Sequence, residues 1–177
     1  IAFGPLAPVL FSENVFAAWG HVLQQLRIPV VPPEATRPPA TTAPAQLREL
    51  RQIHDNVWEL KAYSPAMDRV ITNDIILPPG GVENTQPRPT YYLLGGAGGG
   101  EDALWWDGGG AAEFFRDKHV NVVSPRGAYG SMMSDWAQPH DTHGKYKWAT
   151  YLTKELPQLI DAEIHGTGRD GIAGLSN

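Results

Sequence analysis

Cysteine is absent from the 177 residues. That removes disulfides, zinc–thiolate sites and thiol nucleophiles together, while leaving the compartment open. Positive charge is scarce as well, with 14 lysines and arginines against 19 aspartates and glutamates and a formal charge of -5. No basic stripe offers itself to a phosphate backbone, which excludes nucleic acid as a partner. No apolar run reaches the roughly eighteen residues that a membrane-crossing helix needs. Metal-ligand spacing is nearly missing too. Of the six histidines only His140 and His143 stand close enough, and with Pro139 and Asp141 beside them and no third convergent ligand they read as a polar loop. Neither a metal nor a cofactor is expected. The chain starts at Ile1 without a methionine, so a processed amino terminus is expected, with any signal peptide already removed.

What is present suffices for one globular domain, since 42% of the residues are hydrophobic. Residues 1–45 differ from the rest and read as an extension. Ser12 caps an expected helix over Glu13 to Leu26 whose apolar stripe is Val15, Ala18, Trp19, Val22 and Leu26. A proline-rich stretch from Pro29 to Pro44 then reads as a linker or strap. Residues 46–177 carry the pattern of a folded domain. A short helix is expected over Leu47 to Ile53. Strands at Val57 to Tyr63 and Arg69 to Leu77, turned by Ser64-Pro65 and ended by Pro78-Pro79-Gly80-Gly81, form an antiparallel hairpin. Thr90 to Leu94 and Val120 to Ser124 read as buried parallel strands with a helix at Ala111 to Lys118 between them. After a long loop, an amphipathic helix at Trp148 to Ile164 leads to a last strand at Gly171 to Gly174. Two antiparallel strands followed by this alternation give an α/β class: the amino-terminal part of an α/β-hydrolase, with a mostly parallel central sheet and an antiparallel amino-terminal hairpin.

The chemistry gathers at two places. Gly174-Leu175-Ser176 supplies most of a Gly-x-Ser-x-Gly nucleophile elbow, in which a serine sits on a tight turn after a strand, so Ser176 is the candidate nucleophile. Gly95 to Gly100 follows the earlier parallel strand. It lacks the lysine of a phosphate-binding loop, and its position suits an oxyanion-binding turn instead, with the N–H of Ala97 as first candidate donor and Gly96 as second. The N–H of Asn177, the residue after the serine, would be the partner donor. Trp105, Trp106 and Trp136, with Tyr129, either line a substrate path or pack in the core.

Five segments together, Ser64-Pro65-Ala66-Met67-Asp68-Arg69, Tyr92-Leu93-Leu94, Ser134-Asp135-Trp136, the block from Tyr146-Lys147-Trp148 to Leu156-Pro157, and Gly174-Leu175-Ser176, resemble the mycolyltransferases of the antigen-85 type, in the esterase-D-like branch of the α/β-hydrolases. The resemblance implies a secreted, cell-envelope enzyme that moves a long acyl chain from a glycolipid donor, trehalose monomycolate, through an acyl-serine to a sugar, lipid or protein acceptor. It also implies a glutamate and a histidine on a portion beyond Asn177. The family's sugar-holding Asp, Arg and Asn fall on Gly95, Gly98 and Gly109, so an acceptor other than trehalose is equally expected. A carboxylesterase and a catalytically lapsed envelope-binding protein of the same fold are the alternatives.

Overall fold

Three antiparallel strands open the described part of the chain, residues 42–101 and 104–176 of the computed structural model. They are β1 (Gln46–Gln52), β2 (Val57–Ser64) and β3 (Arg69–Ile76). The chain divides into two units, Ile1–Ala35 and Thr36–Asn177, and every described residue belongs to the second. The helix expected over Glu13 to Leu26 and most of the proline-rich stretch lie outside the described residues.

The short helix expected over Leu47 to Ile53 is instead strand β1, which pairs with β2. Leu47 and Leu50 are three apart, a spacing that shares a face in a helix but not in a regular strand. Here the register shifts between Leu47 and Glu49, so Leu47 stands opposite Ala62 and Leu50 opposite Leu60. The extra residue of a β-bulge turns both leucines toward one core face.

Then come β4 (Arg88–Leu94), α1 (Ala111–Phe114), β5 (Asn121–Pro125), α2 (Trp148–Thr150), α3 (Leu156–Glu163) and β6 (Gly166–Gly174). A π-helical turn at Tyr151–Glu155 joins α2 to α3. Pro157 sits in the first turn of α3. It has no N–H to give to the turn before it, which accounts for the locally widened helix. The sheet order is β1-β2-β3-β5-β4-β6, with β4 parallel to both neighbours. The chain therefore reverses direction across the sheet at β4, and its helices cover opposite faces. Ala111 of α1 and Phe115 just after it join Val57, Ile76, Leu93 and Val122 on one side. Trp148, Leu156 and Ile160 join Leu60, Ile71, Tyr92 and Val123 on the other. Tyr92 and Leu93 fall on different faces because successive strand residues alternate.

Two buried polar groups tie the layers together. Arg88, fully buried, donates to Asn121 Oδ1 at 2.6 Å and to the carbonyl of Asn84 at 2.7 Å, locking the start of β4 to the start of β5. Glu155, also fully buried, accepts from Ser64 Oγ at 2.5 Å and from the N–H of Ala66 at 2.8 Å. Alanine at position 155 leaves both donors without an acceptor. Glu155→Ala is expected to cost about 2–4 kcal/mol, read from urea unfolding, because buried groups then lose partners that water does not replace.

Candidate active site

The parallel register of β4 and β6 sets the site. Leu94 stands opposite Gly174, so both strands run out at the same level and the turns that follow them meet. Leu175 donates its N–H to the carbonyl of Leu94 at 3.3 Å, which extends the ladder by one bond. At the next residue the chain bends: Ser176 has φ 58, a left-handed conformation that a side chain rarely adopts. Gly96 approaches from the β4 turn. A β-carbon placed there would stand 3.2 Å from Ser176 Cβ and 3.0 Å from the carbonyl oxygen of Leu175. A side chain at position 96 would push the two turns apart by a few tenths of an ångström, and glycine lets them meet without that shift.

Hydrogen bonds fix the glycine turn from behind. Gly99 donates to the carbonyl of Gly96 at 2.8 Å. In a planar trans peptide the N–H points opposite to the C=O, so this bond also aims the N–H of Ala97. The loop after β5 supplies the rest: Gly127 and Ala128 donate to the carbonyl of Gly99 at 2.9 and 3.3 Å, and Gly130 donates to that of Ala97 at 3.0 Å. The carbonyls are thus engaged inward. The N–H groups of Gly96 and Ala97 make no hydrogen bond to any other described residue. Beside them opens a cleft of about 460 Å³ lined by Gly96, Ala97, Leu104, Trp105, Leu175 and Ser176.

Of the three candidate tryptophans the cleft takes Trp105 alone. Trp106 lies on the α1 side of the sheet, 5.9 Å from the His54 ring, and its indole N–H faces Asp74 without closing a hydrogen bond. Trp136 packs edge-on against Tyr146 at 5.3 Å and donates Nε1–H to the carbonyl of Ser131 at 3.0 Å. It holds the loop in which Met132 and Met133 take φ 53 and 49. Asn177 lies outside the described residues. His140 accepts at Nδ1 from the N–H groups of Thr142 and His143, at 3.1 and 3.2 Å, which makes it an organiser of its own loop. Gly95, Gly98 and Gly109 all line the cleft, so the wall at those positions is bare backbone.

The structure adds a buried charged group that sequence patterning passed over. Arg126, at the end of β5, donates to Glu59 Oε2 at 2.9 Å and lies 3.4 Å from Asp74 Oδ1. Its own N–H bonds the carbonyl of Thr72 at 2.9 Å. The group anchors to β2 and β3 the loop that grips the glycine turn. Its members sit on β2, on β3 and just past the end of β5, and the only local signal was a charged residue following Ser124-Pro125. Burial pushes the Asp74 carboxyl up to about 6 from its ordinary 3.8, with Glu59 and Glu101 adding to the rise and Arg126 opposing it. For Glu59 burial also pulls upward, but the hydrogen bond from Arg51 and the charges of Arg51, Lys61 and Arg126 outweigh it and hold the carboxyl low.

A carboxyl raised by folding binds its proton more tightly folded than unfolded. Asp74 therefore contributes a stability that is full below about pH 4 and lost as pH climbs through about 6. Asp74→Asn is expected to gain about 1–3 kcal/mol at neutral pH and almost nothing near pH 4, as read from urea midpoints at the two values. Glu59 keeps Arg126 paired in the variant.

The family model Esterase, described as "Putative esterase", matches residues 64–177. The diacylglycerol acyltransferase/mycolyltransferase Ag85B of Mycolicibacterium smegmatis is 42% identical over 69 residues, covering 36% of this chain and 21% of that protein. The crystal structure of MPT51 from Mycobacterium tuberculosis superposes with a TM-score of 0.52 at 26% identity, covering 70% of this chain and 41% of that one. An S-formylglutathione hydrolase from Agrobacterium tumefaciens shares the fold alone, with a TM-score of 0.51 at 18% identity over 73% of this chain and 52% of its own. The alignment thus spans about a fifth of the curated relative and about half or less of the solved ones.

Proposed function

This chain belongs to the esterase family, with the α/β-hydrolase fold, and on that footing we propose that Ser176 is the nucleophile of a serine acyltransferase. The observation that carries the reading is the strained Ser176, φ 58, against a turn whose Ala97 N–H is aimed and makes no hydrogen bond to another described residue. A non-glycine residue held in the left-handed region is the conformation a nucleophile elbow requires, and the surrounding bonds must over-determine it.

The reaction runs in two halves. Ser176 Oγ attacks the carbonyl carbon of an ester, forming a C–O bond while the carbonyl π electrons move onto oxygen. The N–H groups of Ala97 and Asn177 receive that oxyanion, with Gly96 adjacent. Collapse breaks the bond to the donor alcohol, which leaves with a proton, and an acyl-serine remains. An acceptor hydroxyl then attacks the acyl-serine and regenerates Oγ–H. The reading requires a histidine to carry the proton both ways, oriented by an acid, and both are assigned to portions of the protein outside the described residues.

The donor is a long-chain acyl glycolipid of the mycolyl class and the acceptor a sugar, lipid or protein of the cell envelope, where a secreted enzyme would act. The likeness to Ag85B supports that class. The bare backbone at Gly95, Gly98 and Gly109 supports a second reading, a carboxylesterase, because a site without polar side chains discriminates poorly in favour of a sugar hydroxyl over water. Products formed from an acyl donor with and without trehalose separate the two.

The reading is tested by a fluorophosphonate applied to the protein as its gene encodes it. A covalent adduct on the peptide bearing Ser176 is expected, and an unlabelled serine would overturn the assignment.

A further inference from the structure

A second cleft, of about 440 Å³, opens at the far end of the sheet. Strand β3 is antiparallel to β5, with Ile76 opposite Val122, so the end of β3 lies where β4 and β5 begin. Ser176 and the glycine turn stand at the other end. The cleft has a volume within the roughly 300–1,000 Å³ of small-molecule sites.

Its walls are built rather than left over. Trp58, half-buried, and the rings of Pro78 and Pro79 form an apolar floor. Gly81, with φ 56, folds the next turn against the indole, where a β-carbon would stand 3.0 Å from Trp58 Cζ2. Gly81 donates to the carbonyl of Pro78 at 3.0 Å, and Asn84 Nδ2 donates to that of Pro79 at 3.0 Å, so the turn is closed before any ligand arrives. A cleft shaped in advance loses little entropy on binding.

The rim is polar and exposed: Gln52, Asp55, Glu83 and Arg116. Arg116 is pinned by Asp55 and by Glu113, the latter at 2.8 Å. The Glu83 carboxylate makes no hydrogen bond or ion pair with another described residue. Asn56, in the wall, gives Nδ2–H to the carbonyl of Ala112 at 2.8 Å, while its Oδ1 has no donor among the described residues. Two rim carboxylates against one guanidinium, itself already paired, repel phosphates and other anions. Carboxylates accept hydrogen bonds from hydroxyl groups, and indole and pyrrolidine rings present a surface suited to the apolar C–H face of a sugar ring.

We propose that this cleft is a binding site for a neutral glycan, separate from the reacting centre, by which the protein holds to a saccharide surface. The proposal does not depend on Ser176 being a nucleophile.

The test titrates the protein as its gene encodes it with maltotriose and with cellobiose, following tryptophan fluorescence and the NMR signal of the Trp58 indole N–H, with inorganic phosphate as the anionic comparison. A saturable shift at Trp58 with at least one sugar, and none with phosphate, is expected. Glu83→Ala and Asp55→Ala, which remove the two exposed rim carboxylates, are each expected to weaken binding about fivefold or more while ester turnover is unchanged. Ser176→Ala is expected to bind sugar as the parent does. Absence of saturation with both sugars, a response to phosphate, shifts at Trp105 in place of Trp58, or unaltered affinity in both rim variants would each overturn the proposal. Trp58→Leu adds a direct probe of ring stacking, and the two surface variants decide the matter should that core change unfold the chain.

Discussion

Alanine at Ser176 is expected to lower ester turnover by about 10⁴-fold or more, since removal of a nucleophile forfeits the whole covalent route. The fold is expected not to suffer, because this side chain is exposed and the backbone bends before it. Ser176→Gly sharpens the point. The left-handed φ of 58 costs a serine about 1 kcal/mol that a glycine does not incur. The glycine variant should therefore be as inactive as the alanine variant yet melt at an equal or higher temperature. An inactive but stabilised protein would show that the strain serves the chemistry and not the fold. More than a tenth of parental turnover in Ser176→Ala would remove Ser176 from the mechanism.

The second large effect is expected at Gly99, behind the site. Its φ is 71, and a β-carbon there would stand 2.3 Å from the nitrogen of Tyr129 and 2.8 Å from the carbonyl carbon of Ala128. These are backbone atoms and cannot swing aside. In Gly99→Ala the glycine turn and the loop after β5 must part, breaking the bonds from Gly127 and Ala128 to the Gly99 carbonyl and straining that from Gly130 to Ala97. A loss of about 2–4 kcal/mol in urea unfolding is expected. The turn also aims the Ala97 N–H, so kcat is expected to fall about 10²–10³-fold, the usual cost of an oxyanion donor, with a smaller change in KM. Gly108→Ala is the companion control, because a β-carbon there meets nothing within 4 Å. A Gly99→Ala protein that is destabilised but retains its kcat would separate the turn from catalysis and leave it a purely structural element.

The segments that carried the family resemblance have an unexpected common property. Glu155 bonds Ser64 and Ala66, Asp135 accepts from Thr150 at its N–H and hydroxyl, and the Arg69 guanidinium lies 5.6 and 5.7 Å from the rings of Tyr146 and Trp148. These motifs touch one another, and none of them lines the cleft except Ser176 and its neighbour Leu175. The most recognisable text in the chain is thus a brace between the β2–β3 turn and the helices on one face. It identified the fold more than the chemistry.

The strands β2 to β5, the helical stretch from Trp148 and the serine turn were legible in the sequence because each is written locally: alternation or continuous burial marks a strand, a spaced apolar stripe a helix, and Gly-x-Ser a tight bend; of the helix expected over Ala111 to Lys118 only Ala111–Phe114 is helical. That Ser176 and the glycine turn after β4 stand at the same end of the sheet follows from the parallel strand order. Strand β1 was not legible, because one bulged residue near Arg48 gives its leucines the spacing of a helix. Nor could composition choose among tryptophans 105, 106 and 136, since an indole reads the same whether it faces a cleft, a carboxylate or a tyrosine ring. The Asp74–Arg126–Glu59 group, the stitching of the glycine turn by residues 127–130, and the second cleft around Trp58 exist only once the sheet is assembled. Periodicity reports on neighbours along the chain, whereas these features come from pairings across it, and which residues meet there is fixed by register and by the packing of side chains that the one-dimensional pattern does not encode.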